Sequence, residues 1–232
     1  MSADPIRDSG KFLGIPGDMG EEMRFSMEPI VRRCDQSVFA YELLYRGPLP
    51  REFKDIDARL VDYLGSARAG LPTLFVNLSN DTLATACDDS LVRASRHADV
   101  YFELSERRMA PSVFERITRR VDALSRRGVR FALDDFGSGH DGLSRLMAMD
   151  CVSVIKLDGA LIERARSRPR AAQMLRALCR TWRASGIRTV AECIEGAGQL
   201  QIADYLDVDM LQGHLLNSAS KSGARRLPAH SA

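Results

Sequence analysis

The chain has 232 residues, 45% hydrophobic and 28% charged, which is enough for one sizeable core. Its formal net charge of +2 gives no bias toward a nucleic-acid polymer or a membrane surface. No apolar run approaches the roughly 18 residues of a membrane span, and Met1 to Gly20 lack the apolar stretch of a secretory signal, so a cytoplasmic protein is expected. The cysteines (Cys34, Cys87, Cys151, Cys179, Cys193) are scattered and form no CxxC pair, as expected of reduced core residues. The histidines (His97, His140, His214, His230) are too dispersed for a close zinc-binding pair.

Strands are predicted, in chain order, over Arg24–Ile30, Val38–Tyr45, Thr73–Asn77, Val100–Leu104, Arg130–Leu133, Val152–Leu157, Arg188–Ala191 and Val208–Leu211. They are short and rich in Val, Ile, Leu and Phe, as suits strands buried on both faces of a parallel sheet. The gap from Ile30 to Val38 is too short for a parallel crossover, so the first two strands are predicted to form an antiparallel hairpin. Helical patterns fill the later gaps. One runs from about Phe53 to Leu64, with Ile56 and Leu60 inward and Gly65 after it. A second is expected to be capped by Ser112, with Glu115 closing a capping box; Phe114, Ile117, Val121 and Leu124 line one face and Gly128 ends it. A third follows Pro169, with Leu175, Leu178 and Trp182 as its apolar stripe and Gly186 at its end. Arg119, Arg120, Arg126, Arg127, Arg176 and Arg180 are read as solvated outer faces. Together these elements predict an α/β fold, a TIM-like (β/α)8 barrel with its first strand antiparallel to the rest, with a doubly wound sheet as the rival. Residues 23–217 form the body, 1–22 an N-terminal extension and 218–232 a flexible C-terminal tail.

Barrel active sites lie where strands end, and polar residues recur there: Glu42 and Arg46, Asn77, Glu103 and Glu106, Asp134 and Asp135, Lys156 and Asp158, Glu192 and Glu195, and Gln212. Any one acid at such a place is often only the N-cap of the next helix. At successive strand ends they would converge on one mouth, where crowded carboxylates raise one another's pKa and call for cations. All-oxygen ligands, an Asn carbonyl included, favour Mg²⁺ or Mn²⁺ over zinc. The adjacent Asp134 and Asp135 would face one site only if the chain is already turning, and Gly137 and Gly139 supply a turn. One carboxylate would then bridge two metals, the arrangement of two-metal phosphodiester hydrolysis.

These motifs resemble the EAL family of cyclic-di-GMP phosphodiesterases, over roughly Phe25 to Asn217. The matching segments are Glu42-Leu43-Leu44, Asn77 to Ser79, Glu103 to Glu106, Asp134 to Gly139, Lys156 to Asp158, Ala191 to Glu195 and Gln212-Gly213. The resemblance implies a metal-dependent enzyme that hydrolyses cyclic-di-GMP to linear pGpG with two divalent cations, Mg²⁺ or Mn²⁺. Glu42, Asn77, Glu103 and Asp134 would ligate the first cation, and Asp134 and Asp135 the second, with Glu192 contacting it through water. Lys156 would sit by the attacking water and Gln212 would orient it. Arg46, Leu43, Glu28 and Asp158 would line the substrate side, Arg46 holding a phosphate. Glu106 would brace the loop from Phe136 to Gly142 and Glu195 would support the site from behind. The family also implies a homodimer and possible protein partners. The chain departs from the family pattern at Leu43 (usually Ala), at Glu28 (usually Gln), in a short connection from Arg46 to Asn77, and at His140, Asp141, Gly142, Gly196 and His214. The alternative is a weak or inactive EAL domain acting as a cyclic-di-GMP receptor or protein-interaction module. A further reading, Lys156 as a Schiff-base lysine, would need a lowered pKa in an apolar site.

Overall fold

The computed structural model describes residues 6–7, 12–16, 22–48, 53–67, 70–105, 109–139 and 142–217. Eight strands close into a barrel: β3 (Glu22–Arg32), β4 (Val38–Tyr45), β5 (Leu74–Leu78), β6 (Val100–Leu104), β7 (Arg130–Phe136), β8 (Val152–Leu157), β9 (Arg188–Ala191) and β10 (Met210–Gln212). β3 runs antiparallel to both its neighbours, β4 and β10, and every other pairing in the ring is parallel. Pairing of β3 with β4 closes the ring and removes the doubly wound alternative. The first strand is thus antiparallel to the rest, as the short gap after Ile30 requires. Two strands precede the barrel, β1 (Ile6–Arg7) and β2 (Phe12–Pro16); β2 pairs with the first half of β3 and buries Leu13 and Ile15.

The helices lie outside the ring: α1 (Lys54–Ser66), α2 (Asn80–Thr85), α3 (Asp88–His97), α4 (Pro111–Ser125), α5 (Gly142–Ala148), α6 (Gly159–Ser167), α7 (Pro169–Ala184), α8 (Ala197–Leu206) and α9 (His214–Asn217). Most of the apolar core fills the layer between these helices and the outward strand faces. Among the described residues no helix is long and apolar enough to cross a membrane.

The barrel interior carries its own apolar ring, with one residue from each strand: Ile30, Ala40, Phe75, Tyr101, Ala132, Val154, Val190 and Met210. Successive side chains on a strand alternate faces, so the residue two positions toward the C-terminal mouth also points inward. Those residues are Glu42, Asn77, Glu103, Asp134, Lys156, Glu192 and Gln212, joined by Glu28 on the reversed strand β3. The apolar ring is therefore the floor on which the polar ring stands.

Several local details differ from the sequence expectation. α4 starts one residue before Ser112: Ala110 is its N-cap, without a side-chain hydrogen bond, and Pro111 opens the helix. Proline presets φ for the first helical position and has no N–H there to satisfy, so the capping box at Ser112 is not needed. Glu115 instead pairs with Arg119 one turn on, at 2.8 Å. In α7 the inward stripe is Ala172, Leu175, Cys179 and Trp182, while Leu178 is exposed. The helical period places Cys179, four residues after Leu175, on the buried face. α1 runs past Gly65, which packs against Arg93 of α3 at a distance a larger residue would crowd. Arg120 is not solvated: its guanidinium is largely buried, holding Asp88 at 2.7 Å and the carbonyls of Leu83 and Ala86, which ties α4 to the α2–α3 junction. The tail 218–232 lies outside the described residues.

Phe75 is fully buried in the interior ring and stacks on Tyr101 with centroids 4.8 Å apart. Phe75→Ala is expected to cost about 3–5 kcal/mol, measured by urea unfolding, because the closed ring cannot collapse onto the cavity.

Candidate metal centre

The polar ring converges on one ammonium. Lys156 Nζ lies 2.7 Å from Glu103 Oε1, 2.9 Å from Asp134 Oδ1, 2.9 Å from Glu192 Oε1 and 3.1 Å from Glu42 Oε2. The lysine is 1% exposed. Three strands, and the residue directly after β9, thus contribute carboxylates to a single cation on β8. Glu42 takes two further hydrogen bonds, from Asn77 Nδ2 at 2.9 Å and Gln212 Nε2 at 2.6 Å. Donation from Asn77 Nδ2 turns the amide so that its carbonyl oxygen is left as a ligand atom.

Burial and crowding divide these groups. Burial alone would lower the Lys156 pKa, but Glu103, Glu42, Glu192 and Asp134 raise it well above its ordinary value, so it stays an ammonium. Burial would raise Glu42, but Lys156, Gln212 and Asn77 more than offset it and leave this carboxyl below its ordinary value. Glu103 has Lys156 but no amide donor beside it: burial, and then Glu42, outweigh the lysine and push it well above the carboxylate range. Burial pushes Glu192 up to about 8, against the pull of Lys156. Asp135 is raised by burial and by Asp134. One ammonium is too little positive charge for this ring.

β7 brings both aspartates to the mouth through a bulge. Leu133 pairs with Ile155 and Phe136 with Leu157, so β7 spends one residue more than β8 between these pairs. The extra residue is taken up at Asp134 and Asp135, and Asp135 adopts φ +56°, a conformation that Asp tolerates better than most residues. The bulge turns Phe136 outward, where its ring meets Trp182 of α7 edge-on at 5.1 Å. The turn therefore begins at Asp135 itself, ahead of the glycines on which the sequence expectation rested. As a result Asp134, Asp135 and Glu192 each offer a carboxylate oxygen within 4.8 Å of the others.

The remaining site residues are more dispersed. Glu28 lies across from Glu42 in the β3–β4 pairing, half-buried; burial and Glu42 raise its pKa. Arg46 is exposed just beyond β4 and donates from Nε to Ser26 Oγ at 2.8 Å. Leu43 turns away from the mouth into the core between sheet and helices, as its position next to Glu42 demands. Asp158 caps α6 by accepting from Ala160 N at 2.9 Å, and its charge also bears on Asp135. Glu195 is exposed, with His214 Nδ1 at 3.4 Å from its Oε1. Glu106, His140 and Asp141 lie outside the described residues.

Two supports were not legible from spacing. Asp57 of α1, buried, accepts from Ser79 N at 2.9 Å and Thr82 Oγ1 at 2.6 Å, which holds the turn directly after Asn77. Arg145 of α5, also buried, donates to the Ser105 carbonyl at 2.5 Å and lies over the Phe114 ring, linking the segment after β7 to that after β6. A charged residue at an inward helix position is the only sequence signal of either.

The ring fits divalent cations. Glu103 Oε2 is buried without a hydrogen-bond partner, as is Gln212 Oε1. Fully ionised, the carboxylates of Glu42, Glu103, Asp134, Asp135 and Glu192 exceed the Lys156 charge by the amount that two divalent cations carry. The donors are all oxygen, which suits Mg²⁺ and Mn²⁺.

The sequence model described as "EAL domain" matches residues 54–219. The chain is 31% identical over 126 residues to the probable cyclic di-GMP phosphodiesterase PdeG of Escherichia coli K12, covering 54% of this chain and 24% of PdeG. It is 28% identical to the cyclic di-GMP phosphodiesterase PdeF of the same organism, covering 93% of this chain and 29% of PdeF. The chain spans less than a third of the length of either relative. Its fold is similar to that of Klebsiella pneumoniae BlrP1 in a manganese/cy-diGMP complex, with a TM-score of 0.69 at 22% identity, covering 91% of this chain and 61% of that one.

Lys156→Met is expected to cost about 3–5 kcal/mol in the presence of chelator, because four buried carboxylates lose their counter-ion. Mn²⁺ should restore part of the loss, and urea unfolding with and without the metal measures both. A carboxyl whose pKa is higher in the folded state holds an extra proton there, so stability falls as pH rises between its unfolded and folded values. For Glu192 that window runs from its ordinary 4.5 to about 8. The metal-free protein should accordingly be less stable at the top of the window than at the bottom, and saturating Mn²⁺ should flatten or reverse that slope in thermal melts.

Proposed function

The chain belongs to the EAL domain family, and on that premise we propose that it is a metal-dependent phosphodiesterase that hydrolyses cyclic-di-GMP to linear pGpG in the cytoplasm, with residues 23–217 as the phosphodiesterase domain. The observation that carries the reading is the buried ring of Glu42, Glu103, Asp134 and Glu192 around Lys156, with Asn77, Asp135 and Gln212 beside it.

Glu42, Asn77, Glu103 and Asp134 would hold one divalent cation, Mg²⁺ or Mn²⁺, and Asp134, Asp135 and Glu192 the other. Such a pair supplies a water of lowered pKa and polarises the phosphoryl oxygens. The chain's own groups do the rest. Lys156, held as an ammonium, places positive charge where negative charge builds on the phosphate. Gln212 is fixed by its bond to Glu42, so its amide orients water and substrate from a rigid position. Arg46 stands at the rim, where its guanidinium can take a substrate phosphate. Addition of one water across one of the two phosphodiesters opens the ring and leaves pGpG. The same ring argues against a Schiff-base lysine, since its carboxylates keep Lys156 protonated. Leu143 and Met147, exposed one turn apart on α5, offer an apolar surface on which a second copy would pack.

Purified protein with Mn²⁺ or Mg²⁺ is expected to convert cyclic-di-GMP to pGpG, followed by chromatography, and to stop in chelator. Glu103→Gln is expected to lower kcat by roughly a hundredfold or more. Nucleotide that binds but stays intact would support the receptor alternative; nucleotide that neither binds nor reacts would sink both readings.

A further inference from the structure

The barrel has a second mouth, at the N-terminal ends of its parallel strands, and its chemistry is opposite in sign. One layer beyond the apolar ring, on the side away from the carboxylates, stand Arg32, Arg130 and Arg188. Each lies two residues from an interior-ring position on its strand, namely Ile30, Ala132 and Val190, and so points inward at that end.

These guanidinium groups gather on two aromatic rings. Arg188 lies 4.7 Å from the Phe39 centroid and 5.6 Å from that of Tyr101. Arg32 lies 5.0 Å from the same Phe39 ring and Arg130 4.2 Å from Tyr101. The buried Tyr101 hydroxyl accepts from both Arg130 and Arg188. Arg130 pairs with Asp99, which Thr73 also holds and whose charge Arg188 shares at longer range, as Arg32 does that of the exposed Asp35. Among the described residues no carboxylate comes within ion-pair distance of Arg32 or Arg188. The nearby Asp207 and Asp209 are already taken by Arg33 and Arg183, with Thr189 also on Asp209. Asp35 is bound by Ser37. Arg188 spends one N–H on Tyr101 and Arg32 one on Ser37. The aromatic rings cover guanidinium faces and leave edges, and those edges match the oxygens of a tetrahedral anion.

We propose that this mouth is an anion site that takes a phosphate-type oxyanion, free or as the terminal phosphoryl group of a nucleotide, on the edges of Arg188 and Arg32. This mouth is the counterpart of the carboxylate ring: the fold holds like charges together with too little opposite charge among them. It does not depend on the proposed hydrolysis, and it is tested without divalent metal or turnover.

The full chain in chelator is titrated with inorganic phosphate, and with chloride at equal ionic strength, while thermal midpoint and ³¹P line width are followed. Phosphate should stabilise the protein more than chloride. Arg188→Gln should weaken phosphate binding by about tenfold or more, roughly one guanidinium–oxyanion interaction. Glu103→Gln, at the other mouth, should leave it intact. Should Arg188→Gln fail to fold, Arg32→Gln on the exposed rim gives the same reading through the line width. Guanosine 5′-monophosphate and guanosine separate the sources. Equal binding of phosphate and the nucleotide identifies free phosphate chemistry, tighter binding of the nucleotide identifies a terminal phosphoryl group, and either supports the site. Phosphate acting no better than chloride, equal phosphate binding by the arginine variants and wild type, or guanosine binding as well as its monophosphate would overturn it.

Discussion

The structure depends on a buried ammonium shared by four carboxylates. Lys156 cannot be removed from water without acids, and the acids cannot be brought together without a cation. Each strand that delivers one of these groups is locked to its neighbours by the closed hydrogen-bond ring, so no single group can withdraw to solvent without opening the barrel. The constraint is electrostatic, but the fold enforces it. The same ring that would stabilise transferred charge during a reaction already shapes the protonation of its members at rest: Glu42 is favoured as the anion, while Glu103 and Glu192 are pushed the other way.

Charge is layered along the barrel axis. An apolar ring with one residue per strand fills the middle. Two residues toward one end the inward positions are acidic or amide, apart from the single lysine; two residues toward the other end stand Arg32, Arg130 and Arg188. The apolar ring separates the two sets of charge, so each is offset only in part and from its own side: by Lys156 above, and by Tyr101, Phe39 and Asp99 below. The period-2 alternation of strands is the device that builds all of these layers.

The helices around the barrel do more than cover the apolar strand faces. Asp57 fixes the turn after Asn77, Arg145 ties two loops at the carboxylate mouth together, and Trp182 receives the Phe136 ring that the β7 bulge turns outward. These are contacts between residues distant in sequence, each small by itself, that set where a carboxylate or an amide can point.

Strand positions, the antiparallel first strand and the membership of the acidic ring were legible in the sequence, because each rests on short-range rules: alternation along a strand, the length a parallel crossover needs, and polar residues repeated at strand ends. Helix starts and faces were legible less sharply, as Pro111 and Cys179 show, since one residue shifts a cap or rotates a stripe. Tertiary structure alone decided which side chain neutralises which. That Lys156 meets four acids, that the turn begins at Asp135 ahead of Gly137 and Gly139, and that Arg120 is buried while Leu43 leaves the mouth all depend on strand closure and register. Alternation assigns a residue to a face, whereas the partner it finds there is set by distances across a ring that exists only once the chain has closed.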